Sequence, residues 1–556
     1  MANVVEADTI FKELRSHSIS EFFRKNSQML GYSGKVRSLT TVVHEYSSNS
    51  LDACEEAGIL PEITVEVKEI SEGKYSVRNK DNGPGIPKNI IGKVLATVLS
   101  GTKFHRYIQQ RGQQGIGGSG CTMFSLITTG KPIHIKSGTG KSAYECDLTI
   151  DIKSNRPVVT NMIDIDKDFM GLEIYGEFGD VKYEMSDHGV YEYLRRTALS
   201  NPHASIRLVD PEGKEYNFIR SVSQMPARPK PSSPHPLGVT TNDLLEYAHN
   251  SVDSKKLSSF LADTFSRMSQ NKVAELREMV RDVDFDKDPH QLQWAEAEKL
   301  VKAFKETKWI APDLDTLSAI GEEQVKATIK NILNPQFMNV VERRPRVFRG
   351  GIPFVVEAGI AYGGAAGKQV AQGYSGVVIR FANKVPLLFD GSSCAITSAV
   401  SGVDWKRYGI KEFEKEPISV LVNVSSVYVP YSGVGKQAIA QEPEMIDEIK
   451  LAVQDCARGL QRYMSGERNK NIQASKYNTI MRYVNQLSIN LSEITGKKQQ
   501  DIETELKALI DRRYKKLLEA EQQANSSEQE QDAEEKEIET QEDDESGDDG
   551  SEESGE

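Results

Sequence analysis

The sequence predicts a multidomain α+β chain, and three observations carry that prediction. Strand-like and helix-like patterns alternate around glycine-rich turns over residues 1–228. Strand signals vanish over residues 229–335, then return from residue 336 in strongly β-branched form. With 556 residues, the chain has room for roughly three or four domains, each with its own core.

The elements follow in order. The run Pro226-Ala-Arg-Pro-Lys-Pro-Ser-Ser-Pro-His-Pro236 has the proline density of a linker. Beyond it, Leu257, Phe260, Leu261, Phe265 and Met268 recur at helical spacing. Gly376–Phe381 and Ile418–Val429 read as strands, the second almost wholly apolar or β-branched. After Pro443 a long helix is predicted, with Ile446, Ile449, Val453, Cys456, Leu460 and Tyr463 at alternating three- and four-residue steps. A second stripe runs through Tyr477, Ile480, Val484, Leu487, Leu491 and Ile494. Such stripes serve as packed core faces, coiled-coil seams or docking faces for a partner, with core packing the default.

The formal net charge of −12 is concentrated at one end. Residues 521–556 hold 17 acidic residues against Lys536 alone, so the first 520 residues carry 68 basic and 64 acidic groups. A block of like charge with Ile538 as its one large apolar residue predicts a disordered acidic tail. A near-neutral body neither requires nor excludes binding to nucleic acid. The five cysteines (Cys54, Cys121, Cys146, Cys394, Cys456) are scattered and never spaced as Cys-x-x-Cys, which argues for a reducing, cytoplasmic setting and against a zinc site or disulfide framework. No apolar run is long enough for a membrane span, and the first residues lack the pattern of a secretory signal.

Three fragments bear on chemistry. In Val43–Ala53, Glu45, Asn49 and Asp52 fall at i, i+4 and i+7, one polar helix face, although Asn and Asp are weak helix formers that a merely solvated face seldom selects. In Arg78-Asn-Lys-Asp-Asn-Gly-Pro-Gly85, Asp81 stands at a strand end just ahead of Gly83 and Gly85. An ordinary turn also fits that fragment; the functional alternative is a fixed carboxylate that accepts from an exocyclic amine. In Arg111-Gly-Gln-Gln-Gly-Ile-Gly-Gly-Ser-Gly120, five glycines in nine positions precede an apolar helical stretch, either a flexible loop or a backbone nest for phosphate. No Gly-Lys-Ser/Thr follows, which excludes a Walker A loop, and no βαβ context supports a dinucleotide fingerprint.

The order of these fragments is more specific than any one of them. Glu-x3-Asn-x2-Asp-Ala, then Asp-x-Gly-x-Gly, then Gly-x2-Gly-x-Gly resembles the successive nucleotide-binding boxes of the GHKL, or Bergerat-fold, ATPases over roughly residues 35–180. That resemblance implies an α/β sandwich ATPase domain binding ATP and Mg²⁺. Glu45 would be the general base, Asn49 the Mg²⁺ ligand, and Asp81 the acceptor of the adenine amine, with Gly85 admitting the base. Gly112, Gln113, Gln114, Gly115, Ile116, Gly117, Gly118 and Ser119 would contact nucleotide within a lid that runs to Gly120. One departure is Gly171-Leu172 where the family usually has Gly-Thr, and no nucleotide contact is assigned there.

Within the superfamily, Ser426-Val-Tyr-Val-Pro-Tyr-Ser-Gly-Val-Gly-Lys-Gln-Ala438 resembles the switch loop of the transducer domain in topoisomerase VI B subunits. Lys436 would then be a catalytic and nucleotide-binding residue reaching the γ-phosphate, where a lone loop lysine is usually only solvated. Arg380–Asp390 is similar to that transducer, His235–Leu244 to the lead-in of a helix-two-turns-helix domain, and Ser20–Leu30 to an N-terminal strap. The resemblance implies an ATPase domain at 1–228, a helix-two-turns-helix domain at 229–335, a transducer at 336–470 and, at 471–520, a helical segment on which the A subunit docks. It also implies ATP-driven self-dimerisation, DNA cleavage by a separate topoisomerase VI A subunit (two A and two B subunits in all) and double-stranded DNA as substrate. The rival readings are a non-catalytic scaffold and a histidine kinase; only 44 residues precede Glu45, too few for an upstream phospho-acceptor helix. Truncation after Ala520 is expected to leave ATP turnover unchanged, because the tail cannot order itself by burial; a steady-state ATPase assay on folded, truncated chain checks it, and lost turnover would refute it.

Overall fold

The computed structural model describes residues 31–516 except 98–106, 113–116, 152, 153, 155, 167, 253, 372 and 434. The strap segment, residues 113–116 and the acidic tail therefore lie outside the described residues. The chain forms two compact units, Met1–Val403 with Phe413–Cys456, and Asp404–Glu412 with Ala457–Glu556.

The first unit opens with helix α1 (Lys35–Ala57), the hairpin β1 (Glu62–Ser71) and β2 (Lys74–Lys80), a short α2 (Ile91–Leu95) and α3 (Gly117–Thr129). Strands β3 (Ile133–Thr139), β4 (Ala143–Asp151), β5 (Arg156–Ile165) and β6 (Met170–Gly179) follow, then α4 (Val190–Ser200), β7 (Ser205–Val209) and β8 (Glu215–Phe218). These strands make one eight-stranded sheet in the order β5-β4-β3-β6-β2-β1-β7-β8. Only β1 and β7 run parallel, across the α4 crossover. Leu39, Val42, Val43 and Leu51 of α1 join Cys121 and Met123 of α3 and Leu194 of α4 in one buried core with Val65, Val77, Ile135 and Ile174 of the sheet. This is the expected two-layer sandwich: three amphipathic helices cover one sheet face, each burying the stripe its sequence supplies.

Next come α5 (Thr241–His249), α6 (Leu257–Thr264), α7 (Gln270–Met279) and α8 (Trp294–Glu306). Their own core includes Leu244, Phe260, Leu261, Leu276, Leu300 and Phe304. Thr240 starts α5 with a capping box: its hydroxyl accepts from the Asp243 N–H while the Asp243 carboxylate accepts from the Thr240 N–H. The helical stripe predicted from Leu257 to Met268 is buried throughout, but the helix stops at Thr264, and Phe265 continues in extended conformation. Apolar spacing is blind to that break, since burial persists through the turn.

Helix α9 (Glu322–Leu333) departs from the predicted helical block. Its Val325, Ile329 and Leu333 pack with Val340, Ala361, Ile379, Phe381 and Leu421, the core of a second sheet. That sheet holds β9 (Phe337–Glu342), β10 (Arg346–Phe348), β11 (Ile352–Tyr362), β14 (Val377–Ala382), β15 (Val385–Pro386) and β16 (Ile418–Ser426). Strands β12 (Lys368–Val370) and β13 (Gly373–Ser375) form a separate hairpin, and α10 (Ala395–Ser401) lies between β15 and β16. Strand β16 is central, antiparallel to β11 and parallel to β14, which accounts for its near-continuous apolar sequence. Helix α11 (Pro443–Thr495) begins in this unit. Arg343 at the end of β9 pins it by donating to Glu448 and Asp455, both at 2.7 Å.

The second unit contains the distal part of α11. The first predicted stripe is buried at Ile449, Val453, Cys456 and Leu460. The second is mixed: Val484 is buried and Tyr477 and Leu491 are half-buried, but Ile480 at 51 %, Leu487 at 47 % and Ile494 at 80 % are exposed, so core packing does not account for these three. Residues 499–516 form a further helix that returns to Tyr477, whose ring lies 4.7 Å from Tyr514 and whose hydroxyl meets Asp511. All five cysteines are buried and none takes part in a disulfide. Among the described residues no helix is long and apolar enough to cross a membrane.

Glu357, inside β11, is 3 % exposed and accepts from the N–H groups of Ile320 and Gly321 at the start of α9 and from the Asn423 amide. The helix N-terminus and the sheet thus share one buried carboxylate. Glu357→Ala, which strands three buried donors, is expected to cost about 3 kcal/mol. Urea denaturation followed by circular dichroism checks this, and a loss below about 1 kcal/mol would contradict it.

Candidate nucleotide site

Helix α1 runs along one wall of the site and divides its labour by position. The carboxylate of Glu45 presses on the first residue of α3: a methyl group built on Gly117 would sit 1.9 Å from Glu45 Oε2. One turn later Asn49 is exposed, its amide 3.9 Å from the Cβ position of Gly118. Glu45 and Asn49 therefore converge on the first turn of α3, where backbone N–H groups have no intrahelical partner and the helix dipole favours an anion. Gly117, Gly118, Ser119 and Gly120 belong to this helical turn rather than to a free loop, and Ser119 is buried.

Asp52 does not share that opening. It is 8 % exposed and paired at 2.8 Å with Arg111, the residue just before the glycine-rich segment. Arg111 also donates to Glu55 and to the amide oxygen of Asn201, and His203 meets Glu55 at 2.9 Å. Burial by itself would raise the Glu55 pKa, but the Arg111 guanidinium and the His203 bond reverse this and hold it well below the usual carboxylate range. Sequence spacing put the three polar residues on one face; it carried no sign that the third was claimed by a buried arginine.

The other end of the site is built around Asp81. Between Glu45 and Ser50 the helix rises by about 7.5 Å, and at Ser50 it meets this second carboxylate. Asp81 is 3 % exposed; Oδ2 accepts from Ser50 at 2.6 Å, and Oδ1 accepts from the Gly83 and Leu172 N–H groups at 3.0 and 3.1 Å. Burial raises its pKa, against the opposing pull of those three bonds. A carboxylate offers about four lone-pair sites, so three fixed bonds leave room for one more donor. The Gly171-Leu172 departure from the family pattern is thereby placed: the Leu172 backbone pairs with Asp81 in both directions, its carbonyl accepting from the Asp81 N–H at 2.9 Å. Neither Ser50 nor this backbone contact was singled out from sequence, because both act only through a residue distant in the chain.

Gly85 lies at φ +67°, and a Cβ there would fall 2.3 Å from the Gly138 carbonyl oxygen of β3. Ser137 clamps the next residue, accepting from the Ile86 N–H at 2.8 Å and donating to its carbonyl at 3.0 Å. The loop after β2 is thus laid flat on β3, as a close approach by a planar ligand requires.

Lys436 lies in the loop beyond β16, half-buried and at φ +50°. Its charge reaches His44, the neighbour of Glu45: burial is the main cause of the lowered His44 pKa, and Lys436 adds to it against the opposing pull of Glu45. The structure thus brings Lys436 to the Glu45 end of the site, 391 positions away in the chain. Of the remaining predicted contacts, Gly112 is described but Gln113, Gln114, Gly115 and Ile116 fall outside the described residues. No cluster of three His, Cys, Asp or Glu side chains among the described residues is arranged to hold a metal. The exposed Asn49 amide offers one neutral oxygen, which suits a hard cation carried largely by phosphate oxygens and water.

Gly85→Ala adds left-handed strain and a backbone clash together, with an expected cost of about 2–4 kcal/mol. Chemical denaturation checks it; an unchanged midpoint would mean the loop is not held against β3.

Residues 34–154 match the family model of histidine kinase-, DNA gyrase B- and HSP90-like ATPases. Residues 312–476 match that of the topoisomerase VI B subunit transducer, a span that takes in α9 as the packing does. The chain is 44 % identical over 512 residues to the type 2 DNA topoisomerase 6 B subunit of Methanothermobacter thermautotrophicus, covering 91 % of this chain and 97 % of that protein. It is 43 % identical over 554 residues to the protein of the same name from Pyrococcus horikoshii, again with 91 % and 97 % coverage. The Thermococcus onnurineus protein of that name is 41 % identical over 570 residues, covering 94 % of this chain and all of its own length. A Bergerat-type pocket joined to a matching transducer, with identity at this level from end to end, leaves one conclusion: the chain belongs to the family of type 2 DNA topoisomerase 6 B subunits.

Proposed function

We propose that this protein hydrolyses ATP with Glu45 as general base and uses the nucleotide state to operate a gate for double-stranded DNA. The observation that carries the site reading is the convergence of Glu45 and Asn49 on the first turn of α3, opposite a buried Asp81 with one acceptor site to spare. Asp81 accepts from the adenine amine, and Gly85 lets the base lie against the loop. The triphosphate lies against the first turn of α3, where the backbone N–H groups of Gly117, Gly118 and Ser119 are available to anionic oxygens. Asn49 contributes the protein oxygen to Mg²⁺, which supplies charge neutralisation across the phosphates. Glu45 takes the proton from the water that attacks the γ-phosphorus as the bond to the ADP oxygen breaks. Lys436 donates a charge-assisted bond to the γ-phosphate that ADP cannot offer in return.

That difference is the only currency in which nucleotide can shift a conformational equilibrium. In this reading ATP closes two copies of the chain into a two-fold gate, with the strap around Phe22 and Phe23 crossing between protomers. A separate cleavage protein, the topoisomerase VI A subunit, present twice per assembly, cuts the DNA and docks on the stripe that exposes Ile480, Leu487 and Ile494. Five buried cysteines outside any disulfide suit a reducing cytoplasm. The scaffold alternative would need a decayed pocket, and Glu45, Asn49, Asp81 and Lys436 are all present.

Glu45→Ala is expected to keep nucleotide affinity but lose about 10²–10⁴-fold in turnover. Lys436→Ala is expected to impair turnover and to uncouple it from relaxation of supercoiled DNA in the complex reconstituted with the cleavage partner. Parallel ATPase and relaxation assays check both. Wild-type turnover in the glutamate variant would remove it from the chemistry, and wild-type values in the lysine variant would reduce Lys436 to an ordinary loop residue.

A further inference from the structure

We propose that Asn383, in the turn between β14 and β15, is a positioning residue that ties the base of the glycine-rich lid to the end of the strand carrying Lys436. This rests on the lid and switch-lysine assignments above. Asn383 is 2 % exposed, and its side-chain amide spans two segments. Nδ2 donates to the carbonyl of Gln110 at 3.1 Å and to that of Ser426 at 2.9 Å, while Oδ1 accepts from the Ser426 N–H at 2.9 Å. Both amide donors are thereby used. Gln110 stands two residues before Gly112, and Ser426 is the last residue of β16, ten positions before Lys436.

Each end of the tie is itself fixed. On the lid side, Gln109 exchanges hydrogen bonds with the Ser318 backbone at 2.8 and 2.7 Å, and Arg111 holds Asp52 and Glu55 of α1, the helix that carries Glu45. On the strand side, Ser426 Oγ bonds the carbonyls of Pro353 and Tyr428. The turn is anchored from a third direction, because the Lys384 carbonyl accepts from Ser200 at 2.7 Å and Asn201 at 3.2 Å.

Asn suits this place on two counts. The residue sits at φ +48°, where Asn is among the few side chains tolerated, and only a short amide offers donor and acceptor at this reach. A carboxylate would turn an anionic oxygen toward two carbonyls. A nucleotide-driven shift of Gln110 must therefore carry Asn383 and Ser426 with it or leave the Gln110 carbonyl and one buried Asn383 donor unpaired, which favours joint movement. Asn383 touches no reacting group; it acts through the placement of the lid and of Lys436.

The test uses the full-length chain. Asn383→Gly keeps the left-handed backbone at no strain and deletes the tie, and Asn383→Asp keeps the shape but removes both donors. For either, kcat for ATP is expected to fall about tenfold with KM within about twofold. Added to Lys436→Ala, Asn383→Gly is expected to cause no further loss, because both interrupt one coupled unit. Wild-type kcat in folded Asn383 variants, or losses that multiply with Lys436→Ala, would overturn the proposal, as would a lowered melting midpoint with kcat per active site unchanged. A Lys436→Ala chain with normal turnover would instead overturn the switch-lysine reading beneath it. Hydrogen exchange on the wild-type chain needs no variant to fold: a non-hydrolysable ATP analogue is expected to raise amide protection at residues 109–112 and 424–427 together. A rise in one stretch alone, or in neither, overturns the tie.

Discussion

The interaction on which the site depends is the buried contact of Arg111 with Asp52 and Glu55. It fixes α1, the helix bearing Glu45 and Asn49, to the chain segment that leads into the glycine-rich loop. A guanidinium this deep, 4 % exposed at its side chain, is tenable only because two carboxylates and the Asn201 amide oxygen surround it. The same charges hold Glu55 ionised far into the acid range, against the burial that would otherwise neutralise it. A carboxylate with a depressed folded-state pKa contributes stability above its unfolded pKa and loses it only as pH falls through the lower, folded value. The Glu55 side of the cluster therefore stays ionised and paired well below neutral pH.

Given that anchor, α1 acts as a ruler. One end brings Glu45 to the helix start at Gly117; five residues on, Ser50 grips Asp81. The spacing between Glu45 and Asp81 is thus set by helical rise, which is far stiffer than any loop. The sheet side is held with comparable economy, by backbone and hydroxyl contacts to Asp81 and Ile86 that use short side chains. The glycines at 85 and 117 are forced by what lies opposite them, a carbonyl oxygen in one case and the Glu45 carboxylate in the other.

The second sheet supplies the remaining residue of this arrangement. Strand β16, buried along its whole length, delivers the loop that places Lys436 within electrostatic reach of His44. Arg380 of β14 donates to the carbonyls of Gln437 and Phe389, and the Gln437 side chain accepts from the Phe389 N–H. Asp390, the next residue, bonds Arg37 near the start of α1. The loop is therefore braced against the helix that bears Glu45, so lysine and carboxylate share one frame.

The α/β sandwich, the helical block and a buried strand beginning at Ile418, expected to run to Val429 but ending at Ser426, were legible in the order of amino acids, as was the motif order that singles out Glu45, Asn49 and Asp81. They are written in short-range patterns: helical and strand periodicity, and motif order along the chain. Only the folded chain reveals that Asp52 belongs to Arg111, that the Leu172 backbone and the Ser50 hydroxyl hold Asp81, and that α9 packs on the second sheet. It also sets the end of α6, because burial continues through Phe265 after the helical hydrogen bonds stop. The division has one physical reason. Local pattern records how much apolar surface a segment must bury and with what period, whereas the partner of a buried polar group is chosen from residues distant in the chain, by whichever donor or acceptor the fold brings within about 3 Å.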